Sequence, residues 1–178
     1  SATRNAFDNL VELAVDEAVD FVLLAGDLYD GDWKDYNTGL YFIDNMQRLR
    51  AAGILVFVIA GNHDAASQIT KQLRLPENVH LFNTNKPETV VNEALNVAVH
   101  GQGFAKREVT EDLSLSYPQA DPHRFNIGLL HTCLDGKPGH EPYAPCKVSS
   151  LQSKGYQYWA LGHVHSREVV SQEPWIAS

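Results

Sequence analysis

The sequence is poor in sulfur, with two cysteines, Cys133 and Cys146, and one methionine, Met46, in 178 residues. Two thiols are too few for a disulfide framework. They read as incidental thiols of a reducing compartment, so a cytoplasmic location is expected. Long apolar runs are lacking too. None approaches the ~20 residues that cross a bilayer, and no secretory leader is visible, so no membrane association is expected. Basic residues are scarce: 14 against 22 acidic ones, a net charge of −8. That balance argues against a broad basic surface for non-specific nucleic-acid binding, but leaves open a nucleic-acid substrate reached through bound cations. No GxxxxGK phosphate loop occurs, which disfavours an NTPase, and no GxSxG elbow occurs. Gly101-Gln102-Gly103 is only a weak match to a nucleotide loop. The chain opens on Ser1 and closes on the apolar Pro174-Trp175-Ile176-Ala177. It is therefore expected to be a piece of a longer polypeptide, truncated at both ends.

What is present is an ordinary globular composition, 44% apolar and 20% charged, long enough for one well-buried core. Arg4 to Ala18 has a helical apolar period through Phe7, Leu10, Val11, Ala14 and Ala18, and Phe21 to Ala25 reads as a strand. Asn37 to Ala52 predicts a second helix, with Leu40, Ile43, Met46, Gln47 and Arg50 on one face, Leu49 beside it and Gly53 as its stop. Ile54 to Ala60 is a second buried strand. Helix, strand, helix, strand predicts a parallel sheet with right-handed crossovers. Further on, Ala66 to Leu73 reads as a short helix and Val79 to Phe82 as a strand. Thr89 to Val91 and Leu95 to His100 form an antiparallel pair, and Val109 to Tyr117 suggests a short helix. Phe125 to Leu130 is a strand, Val148 to Lys154 a helix stopped by Gly155, and Trp159 to Gly162 a strand. Arg167 to Ser171 pairs with Pro174 to Ala177. Residues Asp135 to Pro145 hold two glycines and three prolines and read as a long loop. No repeat or linker interrupts the chain, so one domain over residues 1–178 is expected.

Three apolar runs end the same way: a glycine, then residues with metal-binding chemistry. They are Phe21 to Gly26 before Asp27, Ile54 to Gly61 before Asn62-His63-Asp64, and Tyr156 to Gly162 before His163-Val164-His165. A fourth run delivers His131. In open α/β sheets ligands bind beyond the carboxyl ends of the strands. Asp27, Asn62, His131, His163 and His165 together make a mixed oxygen and nitrogen donor set. It suits manganese, iron or zinc and is too nitrogen-rich for calcium. A carboxylate at such an edge can bridge two cations about 3.5–4 Å apart, which clamp an in-line displacement at phosphorus. His63 is then available for proton transfer, with Asp64 orienting its imidazole. His80, His100 and His123 read as ordinary positions. His140, in the long loop with Lys137 and Tyr143, is a candidate lid residue, and Trp33, Lys34, Tyr36 and Asn37 are weaker candidates for substrate contact.

On these residues the sequence resembles the calcineurin-like metallophosphoesterases. That family carries D-x-H, GD, GNHD, a lone His and GHxH in order; Gly26-Asp27, Gly61-Asn62-His63-Asp64, His131 and Gly162-His163-Val164-His165 match the last four. Gly26-Asp27-Leu28-Tyr29-Asp30 and the segment from Gly61 to Leu81 are most similar to the SbcD/YhaO-type DNA repair exonuclease branch. The resemblance implies an α/β fold, a two-sheet β-sandwich flanked by helices. It also implies a centre of two divalent metal ions, often manganese. By that resemblance Asp27 bridges the metals, Asn62, His131 and His163 complete one site, His165 joins the other, and His63 stabilises the transition state or protonates the leaving oxygen, with Asp64 behind it. The implied activity is hydrolysis of phosphodiester bonds in DNA by a metal-bound hydroxide, with an ATPase partner subunit and a homodimer as family traits. The alternatives are a small-nucleotide phosphodiesterase or phosphatase, and a non-catalytic scaffold. Two departures stand out. The D-x-H motif and its strand do not precede the first helix, so the first strand and one metal site are expected to be incomplete here. Asp30 also occupies a position where nucleases of this branch often place a histidine.

Overall fold

The computed structural model describes residues 2–26, 36–59, 74–103, 112–131, 133–134, 145–162, 169–172 and 175–177. Helix α1 (Ala2–Asp16) leads into strand β1 (Phe21–Leu24), and α2 (Tyr36–Ala51) into β2 (Leu55–Val58). β1 and β2 pair in parallel, Phe21 opposite Leu55 and Leu24 opposite Val58, and β3 (Val79–Leu81) adds to β2, also in parallel. This three-stranded sheet, β1-β2-β3, is the one the helix-strand alternation predicts.

The helices cover one of its faces. Phe7, Val11 and Ala14 of α1 bury against Phe42, Met46 and Leu49 of α2 and against Leu24, Val56 and Val58 of the sheet. The buried stripe of α2 is rotated from the expected one. Phe42, Asn45, Met46 and Leu49 face inward, while Leu40, Gln47 and Arg50 are exposed. The reason is Phe42, whose ring stacks on Phe7 at 6.0 Å. Burying a side chain of that size stabilises by roughly 1.5–3 kcal/mol, while Leu40, 38% exposed, keeps most of its surface covered. Leu10 likewise turns outward on α1.

Both helices end in the same hydrogen-bonded stop. Ile54 N–H reaches Leu49 O and Gly53 N–H reaches Arg50 O, both at 2.9 Å, with Gly53 at φ 73°. At the end of α1, Val19 N–H bonds Ala14 O and Ala18 N–H bonds Val15 O, with Ala18 itself at φ 51°. Ala18, expected inside the helix, instead occupies its left-handed terminus. Asn78 then ties α2 to β2, its Nδ2 donating to Met46 O and Ile54 O.

The second sheet has six strands in the order β10-β11-β9-β6-β5-β4. β4 (Glu88–Asn92) and β5 (Val97–Gln102) form the expected antiparallel pair, Val90 opposite Val99. β6 (Phe125–His131) and β9 (Tyr158–Gly162) are parallel to β5 and to each other. β11 (Trp175–Ala177) is parallel to β9 and pairs with the antiparallel β10 (Val169–Gln172). Two short strands, β7 (Cys133–Leu134) and β8 (Pro145–Cys146), pair separately. Cys146 is a free, buried thiol.

Alternation along β5, β6 and β9 divides the second core. Val97, Val99, Ile127 and Leu129 face the first sheet and pack on Phe57, Ile59 and Phe82. Leu130, Trp159 and Leu161 face the other way, onto Tyr117, Leu151 and Tyr156. Leu151 lies on α3 (Val148–Gln152), and Tyr117 follows a 3-10 turn, Leu113–Ser116, which stands within the expected Val109 to Tyr117 helix. The fold is therefore helices, three-stranded sheet, six-stranded sheet, and a thin outer layer. Among the described residues no helix is long and apolar enough to cross a membrane.

Candidate metal centre

Because β1 and β2 run parallel, and β5, β6 and β9 do too, each sheet gathers its carboxyl ends at one edge. The two edges meet. His131, the last residue of β6, is fully buried and stands opposite Gly162, the last residue of β9. It shares the inward face of Leu129, and its Nδ1 lies 2.7 Å from the carbonyl oxygen of Ala25, just beyond the end of β1. Ile59, just beyond β2, donates its N–H to Leu24 O at 3.0 Å. One edge thus holds the ends of β1, β2, β6 and β9.

Two glycines make this meeting sterically feasible. Gly26 adopts φ 85°, a left-handed conformation that lets the chain turn at once after β1. At Gly162 a Cβ would collide with the Ala25 carbonyl oxygen and stand 2.7 Å from His131 Nδ1. The sequence marks both glycines as strand ends. The reason for Gly162 lies in the other sheet.

Of the expected site residues, His131 is described and sits where expected. Asp27, Asn62, His63, Asp64, His163 and His165 lie outside the described residues, as do Asp30, Trp33, Lys34, Lys137, His140 and Tyr143. Tyr36 and Asn37 open α2. Among the described residues no group of three or more His, Cys, Asp or Glu side chains is placed to hold a metal ion. His131 fits a metal role on its own geometry. It is an imidazole with nitrogen donor atoms, withdrawn from water at the strand edge and held in orientation by a hydrogen bond.

A second buried histidine escaped the sequence reading. His100 on β5, expected to be an ordinary sheet position, is 2% exposed and lies at the centre of a polar network. Its Nε2 is 2.9 Å from Asn126 Oδ1 and its Nδ1 is 2.7 Å from Thr89 Oγ1. Thr89 is its cross-strand partner, and Gly128 stands opposite it on β6. Its ring stacks on Tyr156 at 4.4 Å, and Tyr156 stacks on Trp159 at 4.7 Å. The fully buried Asn126 is the hub. Its Nδ2 donates to Asp121 O and Arg124 O, and its Oδ1 accepts from Asp121 N–H. Burial holds the His100 pKa below its ordinary value, partly offset by the Asn126 hydrogen bond and the Asp121 charge. Only a cross-strand register shows this network, so no local sequence signal announces it. His80, another expected sheet position, lies on β3 with its Nε2 3.1 Å from a Glu88 carboxylate oxygen.

This two-sheet sandwich, its parallel strand ends meeting beside a buried histidine, agrees with the fold of the metallophosphoesterases. The chain belongs to the calcineurin-like phosphoesterases, whose family model matches residues 2–167, and that family uses divalent metals. It is 39% identical over 168 residues to the metallophosphoesterase YhaO of Bacillus subtilis, covering 93% of this chain and 41% of that protein. It is 30% identical over 172 residues to the DNA double-strand break repair protein Mre11 of Sulfurisphaera tokodaii, covering 93% of this chain and 43% of that one. The chain thus spans about two-fifths of the length of these curated relatives. One solved structure superposes on 98% of this chain and 84% of its own with a TM-score of 0.57 at 14% identity, a likeness of fold alone.

Proposed function

We propose that this chain is the catalytic domain of a two-metal phosphodiesterase that cleaves DNA. The observation that carries the reading is the meeting of Ala25, His131 and Gly162 at one edge. Asp27 follows Gly26 by one peptide bond, and His163 follows Gly162 by one. The similarity to Mre11 proteins, named for DNA double-strand break repair, supports DNA as the substrate.

In this reading Asp27, Asn62, His131, His163 and His165 hold two divalent cations, manganese first among them. When bound, these cations supply Lewis acidity toward a phosphodiester. His63 protonates the leaving oxygen, which is the task of a titratable ring beside the reacting group. Asp64 holds the His63 ring in orientation. An ATPase subunit and a second copy of the chain are the partners proposed for the whole protein.

The test is Mn²⁺-dependent hydrolysis of bis-p-nitrophenyl phosphate and of a labelled DNA duplex, with metal content measured alongside. His63→Ala is expected to lower turnover by about 10²–10⁴-fold and to keep its metal. Asp27→Ala is expected to lose most of its metal. Loss of metal with His63, or two metals retained without Asp27, overturns these roles. The net charge of −8 favours a second reading, a small-nucleotide phosphodiesterase. Cleavage of dinucleotides with no DNA binding at low salt would establish that reading in place of the first.

A further inference from the structure

We propose that Gly162 and the backbone carbonyl of Ala25 are a positioning pair for His131. A carbonyl oxygen only accepts hydrogen bonds, so the ring nitrogen 2.7 Å from it, Nδ1, carries the proton. A neutral imidazole protonated at Nδ1 has its lone pair at Nε2. The pair therefore selects the nitrogen that meets a cation, and it fixes the ring plane as well. The carbonyl reaches the ring because residue 162 has no side chain. The smallest one, a methyl group, would occupy the place of the Ala25 oxygen and press on Nδ1 from 2.7 Å.

Two features set this contact apart from ordinary packing. It joins the two sheets, since Ala25 extends β1 while His131 and Gly162 end β6 and β9. It also uses a main-chain acceptor, whose place is set by the β1–β2 register and not by a rotamer. A side-chain acceptor could swing away with its χ angles. This carbonyl moves only if the sheet edge moves.

The inference rests on His131 being a metal ligand, and the experiment separates the two claims. The full chain is labelled with ¹⁵N in its histidine rings, and His131 is assigned by the signal lost in His131→Gln. Long-range ¹H–¹⁵N correlation of the metal-free protein is expected to place the His131 proton on Nδ1. Added Zn²⁺ is expected to move the Nε2 resonance. A proton on Nε2 in the metal-free protein, or zinc on Nδ1, overturns the proposal. Metal dissociation constants are then measured for Gly162→Ala and for a semisynthetic protein with glycolate in place of Gly26. The latter turns the Ala25 carbonyl into a weaker ester acceptor with no added bulk, and so decides the matter if Gly162→Ala does not fold. Each folded variant is expected to bind zinc about 10–100-fold more weakly than wild type. Wild-type affinity in the folded variants overturns the positioning role. Failure of the wild type to bind any divalent metal overturns the ligand reading instead, while the metal-free spectrum still decides the tautomer.

Discussion

His100 and His131 lie on neighbouring strands of one sheet, β5 and β6, and both are almost fully buried. Each stands beside a glycine on the adjoining strand, Gly128 for His100 and Gly162 for His131. The missing side chains admit different things. A Cβ at Gly128 would run into the Trp159 ring, and a Cβ at Gly162 would run into the Ala25 backbone. The tautomers differ as well. Asn126 Nδ2 faces two carbonyls and its Oδ1 faces an N–H, which fixes the amide, so His100 donates from Nε2 and accepts from the Thr89 hydroxyl at Nδ1. His131 donates from Nδ1. His100 is bound within its own sheet, and His131 reaches across to the other. Burial alone therefore does not distinguish these two histidines; the element that supplies the partner does.

The sharpest break between the two sites comes from the same change made in each. His131→Gln is expected to weaken metal binding by more than about 100-fold, beyond the usual effect of losing a ligand's supporting partner. His100→Gln is expected to leave metal binding unchanged and to lower stability by roughly 1–3 kcal/mol, because Asn126 Oδ1 and the Thr89 hydroxyl lose a well-placed partner. Zinc titration and urea unfolding of both variants check the pair, and equal loss of metal in both would erase the distinction.

The glycines sharpen it next. Gly128→Ala overpacks the Trp159 ring and is expected to cost about 1–3 kcal/mol in urea unfolding with metal affinity intact. The smallest effect is on pH dependence. The folded state holds the His100 pKa below its ordinary value of about 6.5, so the unfolded state binds the proton more readily. The stability contributed by neutral His100 is complete above about pH 6.5 and declines as the pH falls below it, by no more than about 1.4 kcal/mol per pH unit. Unfolding at pH 7.5 and pH 5.5 is expected to show a smaller difference in His100→Gln than in wild type. An identical difference would remove His100 from the acid response.

The parts legible in sequence are those set by local pattern. The 3.6-residue period gave α1 and α2, short apolar runs gave β1, β2 and β6, and Gly53 marked the end of α2. Ala18 was read as helical because nothing but the backbone singles it out as a left-handed stop. The face of α2 was read around Leu40 because the Phe7–Phe42 stacking belongs to two helices and appears in neither alone. At the site, the apolar run before His131 placed it at the end of a strand, where it stands. The Asn126 network and the purpose of Gly162 were not legible, since each depends on which residue of a distant strand falls opposite.

The His131–Ala25 bond also bears on how the molecule assembles. Its partners are 106 positions apart, whereas β4 and β5 are joined by a turn of four residues. Doubling a loop adds only about 0.6 kcal/mol of closure entropy, so the length of chain between the partners is a modest thermodynamic burden. Contacts so distant in sequence are instead slow to find one another. The edge where the two sheets meet is divided between the first strand and the last third of the chain, and neither half contains it. It exists only once the whole sandwich has closed.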